Sequence, residues 1–172
     1  MATTLPIVPF NKSFLSNNKF EFILKRIPNF TFFVQGVNLP SLSLQSSSIN
    51  TPFSAISVPG NQITFGTLSL TYLVDEDMQS WYELYDWMIQ LGNPTGYDKI
   101  GTLTGEDGSI THRMSDATLF VKTNANNPNF QFNFIDLYPT ELGDMTFSST
   151  DNQEFITSTA TFNYGYYTAT RI

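Results

Sequence analysis

Between residues 130 and 167 apolar and polar residues alternate on both sides of a six-residue interruption, a pattern that belongs to half-buried β-sheet. Phe130, Phe132 and Phe134 fall on one face of an extended strand, and Ala160, Phe162, Tyr164 and Tyr166 on one face of another, because strand side chains repeat every two residues. The interruption reads Tyr138-Pro139-Thr140-Glu141-Leu142-Gly143 and predicts a corner. Pro139 has no N–H for a ladder and holds Tyr138 extended, while Gly143 permits backbone angles closed to other residues. The expectation is two long strands set apart by a fixed bend where pairing stops.

At 172 residues and 19.4 kDa the chain fits one domain, residues 1–172, that buries roughly 70% of its extended-chain surface. A core is therefore available without a partner. Aromatic residues make up 15%, dominated by Phe 16 and Tyr 8, which suits sheets packed face to face. The predicted fold is mainly β: two packed antiparallel sheets forming a β-barrel or sandwich, with one α-helix over about residues 77–91.

Residues 1–17 have no clear period and read as an N-terminal arm, with Leu5, Ile7, Val8 and Phe10 able to lie on a neighbouring subunit or to fray. Residues 20–27 and 30–37 predict a β-hairpin closed near Pro28-Asn29. Ile23 interrupts its polar face and predicts partial burial there. Residues 39–66 predict a strand and then a long loop whose recurring Phe53, Ile56, Val58, Ile63 and Phe65 argue against disorder. That loop either folds back on its own core or serves an interface. Residues 67–74 form a strand. In the helix that follows, Met78, Trp81, Tyr82, Tyr85, Met88 and Ile89 recur at spacings of three and four and predict the buried stripe, leaving Trp87 on a flank as a contact candidate. Asp75, Glu76 and Asp77 favour the helix start through capping and the dipole, and Gly92 with Pro94 stops it. Residues 93–110 are a polar, glycine-rich connection, 117–122 a strand, 124–128 a turn, and 143–154 a second polar link.

The formal net charge of −7 argues against a basic groove for duplex DNA. The excess is local. Asp75, Glu76, Asp77, Glu83, Asp86, Asp98, Glu106 and Asp107 lie in the helix and the connection after it, against Lys99 alone. The absence of cysteine excludes disulfides, zinc-thiolate sites, iron–sulfur clusters and thiol nucleophiles. One histidine, His112, beside Arg113, is too few for a histidine-based metal site and lacks the context of a triad base, so it reads as a solvated residue. Asp75-Glu76-Asp77 lacks the alternating ligands and central Gly of a calcium loop. The glycines of the connection do not match a phosphate-binding loop. The reading is therefore no enzyme, no cofactor and no metal. The sequence contains no apolar run long enough to cross a bilayer and no signal-like start, which predicts a soluble, unexported protein without membrane insertion.

Three blocks in order resemble the tail tube proteins of contractile-tailed, T4-like bacteriophages: Val34-Gln35-Gly36-Val37-Asn38-Leu39-Pro40, Leu70-Thr71-Tyr72-Leu73-Val74-Asp75-Glu76 leading into a Trp-bearing helix, and the Tyr138-Pro139-Thr140 corner. The resemblance spans roughly residues 20–167. It implies a structural virion protein, assembled in the host cytoplasm, whose hexameric rings stack into a tube that carries DNA inside a contractile sheath. The implied partners are further copies of the chain, the sheath protein, baseplate and tail-terminator proteins, and DNA in transit. In that family the loop matching residues 39–66 mediates stacking between rings. Leu42, Leu44, Phe53, Ile56, Val58 and Trp87 are thus the candidate assembly contacts. Thr157, Thr159, Thr161 and Asn163, opposite the aromatic face of the last strand, are the candidate bore-facing residues. Two other readings compete: a related initiator, terminator or secretion-system tube component, and a β-sandwich hydrolase or carbohydrate-binding module.

Overall fold

The computed structural model describes residues 13–92, 94, 96, 113–149 and 155–172. The expectations for residues 1–12, for His112, for most of the 93–110 connection and for 150–154 lie outside the described residues. Nine strands and one α-helix are described: β1 Phe20–Leu24, β2 Val34–Asn38, β3 Leu42–Asn50, β4 Ala55–Phe65, β5 Leu68–Leu73, α1 Gln79–Leu91, β6 Ser115–Lys122, β7 Pro128–Leu142, β8 Thr157–Asn163 and β9 Tyr166–Arg171. As expected, the fold is mainly β with two packed sheets and one helix.

One strand belongs to both sheets. The first half of β7 pairs with β6 and β9, and β6 pairs with β1; the second half pairs with β8, which continues to β5 and β2. All these pairings are antiparallel. The predicted corner is therefore displaced: β7 runs through Pro139 as a single 15-residue strand, and Pro139 is accommodated by a register shift between Pro139 and Glu141. The crossing point lies earlier, at Asp136, whose φ of 56° is left-handed. Strands β8 and β9 flank β7 in one continuous register, Tyr138 opposite Asn163 and Ile135 opposite Tyr166, with Gly165 donating its N–H to Ile135 O at 3.0 Å between them. Inward positions slip by one on both strands here. Phe134 is followed inward by Leu137, and Tyr167, not the predicted Tyr166, turns toward the core.

The predicted hairpin of residues 20–37 does not form. Pro28–Phe32 is a 3₁₀ turn that buries Phe30 and carries the chain from one sheet to the other, so β1 pairs with β6 and β2 with β5. Proline at the first position suits such a turn because its missing N–H would have no partner there. The core between the sheets joins Phe22, Leu24, Leu70, Tyr72, Leu119, Phe134 and Phe162, and α1 closes one side with Leu84 and Trp87.

The helix begins later and faces differently than its spacing suggests. Met78, at φ 53°, precedes its first residue, and Ser80, Leu84 and Trp87 form the buried stripe. Tyr82 and Tyr85 are exposed, with Trp81 stacked on Tyr85 at 5.3 Å between centroids. Trp87 is corrected accordingly: only 1% of it is exposed, so it is core and has no surface to offer a neighbour. Its Nε1–H donates to Arg113 O at 3.2 Å, and the Arg26 guanidinium lies 5.0 Å from the ring centroid. Of the three acids before the helix only Asp75 makes capping bonds, and none lies within the first turn. One Asp75 oxygen accepts from Gln79 N–H at 3.0 Å and the other from Ser80 N–H at 3.1 Å and Ser80 Oγ at 2.6 Å.

Candidate assembly surfaces

Strands β3 and β4 form a separate two-stranded sheet that continues from β2 and β5, past Pro40 on one side and Gly66 on the other. The region expected as a strand and then a long loop is thus a two-stranded hairpin with one register shift, and it does not fold back on the core. Its cross-strand pairs include Leu42 with Phe65, Leu44 with Ile63, Ser47 with Val58 and Ile49 with Ile56. Every residue of β3 is exposed, and residues 39–67 contain no Asp, Glu, Lys or Arg. A solvated hairpin normally protects itself with charge, and this one carries none while exposing apolar side chains that another chain could cover. Four of the sequence candidates, Leu42, Leu44, Phe53 and Ile56, are exposed here, and Val58 is half-buried.

The hairpin is held at its base and shaped at its tip. Phe65 packs edge-on against Tyr164 and Tyr167, and Tyr164 Oη–H donates to Gly66 O at 2.8 Å. Burial, and next to it the charge on Tyr167, push the Tyr164 hydroxyl up to about 12. Midway, the register shifts between Leu44 and Ser46, and Gly60 sits so close to Gln45 that a Cβ there would lie 2.5 Å from Gln45 O. At the tip, Thr51 Oγ1 donates to Ser54 O at 2.6 Å and accepts from Ser54 N–H at 3.1 Å. This turn leaves Phe53 99% exposed.

The bore candidates share a surface. Along β8, Ser158, Ala160 and Phe162 are buried while Thr157 and Thr159 are exposed and Thr161 and Asn163 half-buried. Register places Thr71 opposite Thr159, Ser69 opposite Thr161 and Asn38 opposite Ser69, which extends this small-polar face across β5 to β2. Glu141, opposite Thr161, adds a charge at its margin.

The outer strands differ in how they end the sheets. On β1 and its partner β6, Glu21 pairs with Lys122 at 2.6 Å, and beyond β1 Lys25 pairs with Asp116 at 2.7 Å; the second half of β7 contains Pro139 and a bulge in its ladder with β8. β2 and β9 have neither proline nor lysine. Each still has one side without a partner strand, although β2 bulges at Val34–Gly36 and β9 ends in Arg171. Among the described residues no group of three or more His, Asp or Glu side chains is placed to hold a metal ion, and no helix is long and apolar enough to cross a membrane.

A β-sandwich that offers open edges, a neutral polar face and a protruding apolar hairpin is a protomer whose distinctive chemistry lies on surfaces that other chains can cover. The chain belongs to the phage tail tube protein family, whose profile matches residues 6–170. It is 27% identical over 143 residues to the tail tube terminator protein of Enterobacteria phage T4, covering 80% of this chain and 77% of that one. In fold it is similar to the tube-terminating cap of the anti-feeding prophage, with a TM-score of 0.69 and 13% identity over 100% of both chains. It is also similar to a chain of the sheath–tube complex of an extracellular contractile injection system, PVC, in its extended state, with a TM-score of 0.65, 15% identity and 94% coverage of both.

Proposed function

We propose that this chain is a structural subunit whose hexameric rings stack into the inner tail tube of a contractile phage tail, with DNA passing through the bore. The observation that carries this reading is the uncharged hairpin: β3–β4 projects Leu42, Leu44, Phe53 and Ile56 into solvent, and only contact with another chain buries them. Each ring closes as the open edge of β2 in one copy meets that of β9 in the next, a head-to-tail contact that rotation turns into a closed circle. Thr157, Thr159, Thr161 and Asn163 then face the bore. A small-polar, nearly neutral wall suits passage of DNA, because each phosphate contact that releases counterions adds affinity and retards sliding. The sheath surrounds the tube, and baseplate and terminator proteins meet its ends. Family membership supports placing the chain in a phage tail, and the fold it shares with a protomer of a sheath–tube complex supports the sheath as a partner.

A second reading is favoured by the relative in phage T4, which is a tube terminator. Under it the chain forms one ring that ends the tube. Electron microscopy of the purified protein separates the two: long uniform tubes support the stacking subunit, single rings the terminator. Monomers at high concentration would remove both.

A further inference from the structure

The β2–β5 ribbon has two ends with complementary chemistry. At one end, past Asn38 and before Leu68, it runs into the β3–β4 hairpin. At the other, Phe33 and Leu73 open a cleft of about 540 Å³ whose apolar walls also include Val74, Met78, Phe147 and Phe155. Phe147 is 69% and Phe155 89% exposed. Asp75 and Glu76 also line it; Asp75 is already engaged by the helix start, and Glu76 is exposed. We infer that this cleft is the receptor for the hairpin tip of a second copy of the chain, with Phe53 as the inserted anchor. The inference rests on the stacking reading above and names the site that makes the stack continue.

Three observations commit the cleft to that occupant. Phe53 stands on a turn fixed by the Thr51–Ser54 hydrogen bonds, so the backbone that presents the ring is already ordered and only the side chain is left to immobilise. The hairpin has no charge to desolvate, and the cleft offers phenylalanine, leucine, valine and methionine to receive it. Finally, knob and cleft lie at opposite ends of one ribbon. Two different patches on the same molecule make a contact that does not close on itself in a pair but repeats, one copy onto the next. The breaks at Pro40 and Gly66 let the hairpin lie across the junction between rings instead of prolonging its own sheet.

The chain has no cysteine, so single cysteines report the contact without background. Phe53→Cys and Phe155→Cys proteins are prepared separately, mixed under assembling conditions and treated with a short bis-maleimide linker. The mixture should give a crosslinked dimer far above that of either protein alone. In parallel, Phe53→Asp and Phe155→Asp should each abolish stacking seen by electron microscopy while thermal melts of the protomer stay unchanged. Stacks that form in the wild type without crosslinking in the mixture, or crosslinking of Phe53→Cys alone, would overturn the assigned cleft and leave the tube reading standing. A wild-type protein that forms no stacks would overturn both.

Discussion

Trp87→Ala is expected to damage the protomer, not the contact between protomers. The indole is 1% exposed, packs beside the Phe162 ring at 6.4 Å between centroids, and sits beneath the Arg26 guanidinium at 5.0 Å. Truncation removes roughly 200 Å² of buried apolar surface, worth about 5 kcal/mol at 25 cal/mol per Å². It also leaves Arg113 O without the Nε1–H donor. Buried Trp→Ala substitutions cost about 3–5 kcal/mol. In a chain of this size that lowers the melting temperature by roughly 6–20 °C. The assay is urea and thermal unfolding of the unassembled protein by circular dichroism, with Tyr82→Ala as a control on the exposed face of the same helix. The control should change stability by no more than about 0.5 kcal/mol. A Trp87→Ala protein as stable as the control, yet unable to assemble, would refute the assignment of this residue to the core.

Four further outcomes follow from the geometry. Asp75→Ala should cost about 1–2 kcal/mol at neutral pH by uncapping α1. Burial alone would raise the Asp75 carboxyl, but its hydrogen bonds with Ser80 and Gln79 hold it below the ordinary value, so this contribution is full above about pH 4 and is lost as pH falls through the lowered folded value. Pairwise acid titrations of wild type and Asp75→Ala should therefore converge at low pH. Tyr164→Phe should cost about 1 kcal/mol by removing the bond to Gly66 O. Because the folded hydroxyl is raised to about 12, the stability of the wild type should decline above pH 10, and the variant should lose less over the same range in melts. Gly60→Val should clash with Gln45, distort the hairpin and impair assembly in electron micrographs while leaving the protomer melt within about 0.5 kcal/mol of wild type, since β3–β4 is a sheet of its own. Lysines in place of Thr159 and Thr161 should slow DNA ejection from assembled tails, and unchanged ejection rates would count against these positions lining the bore.

The sequence revealed periodic structure well and long-range pairing poorly. Strand β5 was legible because alternation over six residues leaves little choice of face, and so was β8, although the single strand expected to run on to Tyr167 is divided at Gly165 into β8 and β9. The pairing of β1 with β6 was not, because adjacent strands joined near Pro28 read as a hairpin, and only the burial of Phe30 reveals a turn that changes sheets. The helix stripe was misread for a related reason. Trp81, Tyr82 and Tyr85 outweigh Ser80 and Leu84 in apolar bulk, yet the buried face runs through Ser80, Leu84 and Trp87, while Tyr82 and Tyr85 stay exposed and half-buried Trp81 stacks on Tyr85. Pro139 drew the predicted corner to itself, whereas Asp136, a residue that tolerates left-handed backbone, marks the crossing. Of the contact candidates, the hairpin residues come from the family resemblance, the recurring apolar side chains in a region rich in serine and proline showing only that the segment is ordered. Trp87 could not be separated from them, since a helix flank looks alike in sequence whether it meets the core or another chain. The open edges of β2 and β9 emerged only once the strand order was known.

A cryo-electron microscopy reconstruction of the assembled protein, at a resolution that separates strands, tests the central claim most directly. The expected result is a ring whose lumen is lined by the outer face of β8, with Thr157, Thr159 and Thr161 toward the axis and β2 paired to β9 of the adjoining copy. A lumen lined by α1 or by the outer face of β6 and β7, or rings held together without contact at either open edge, would contradict it.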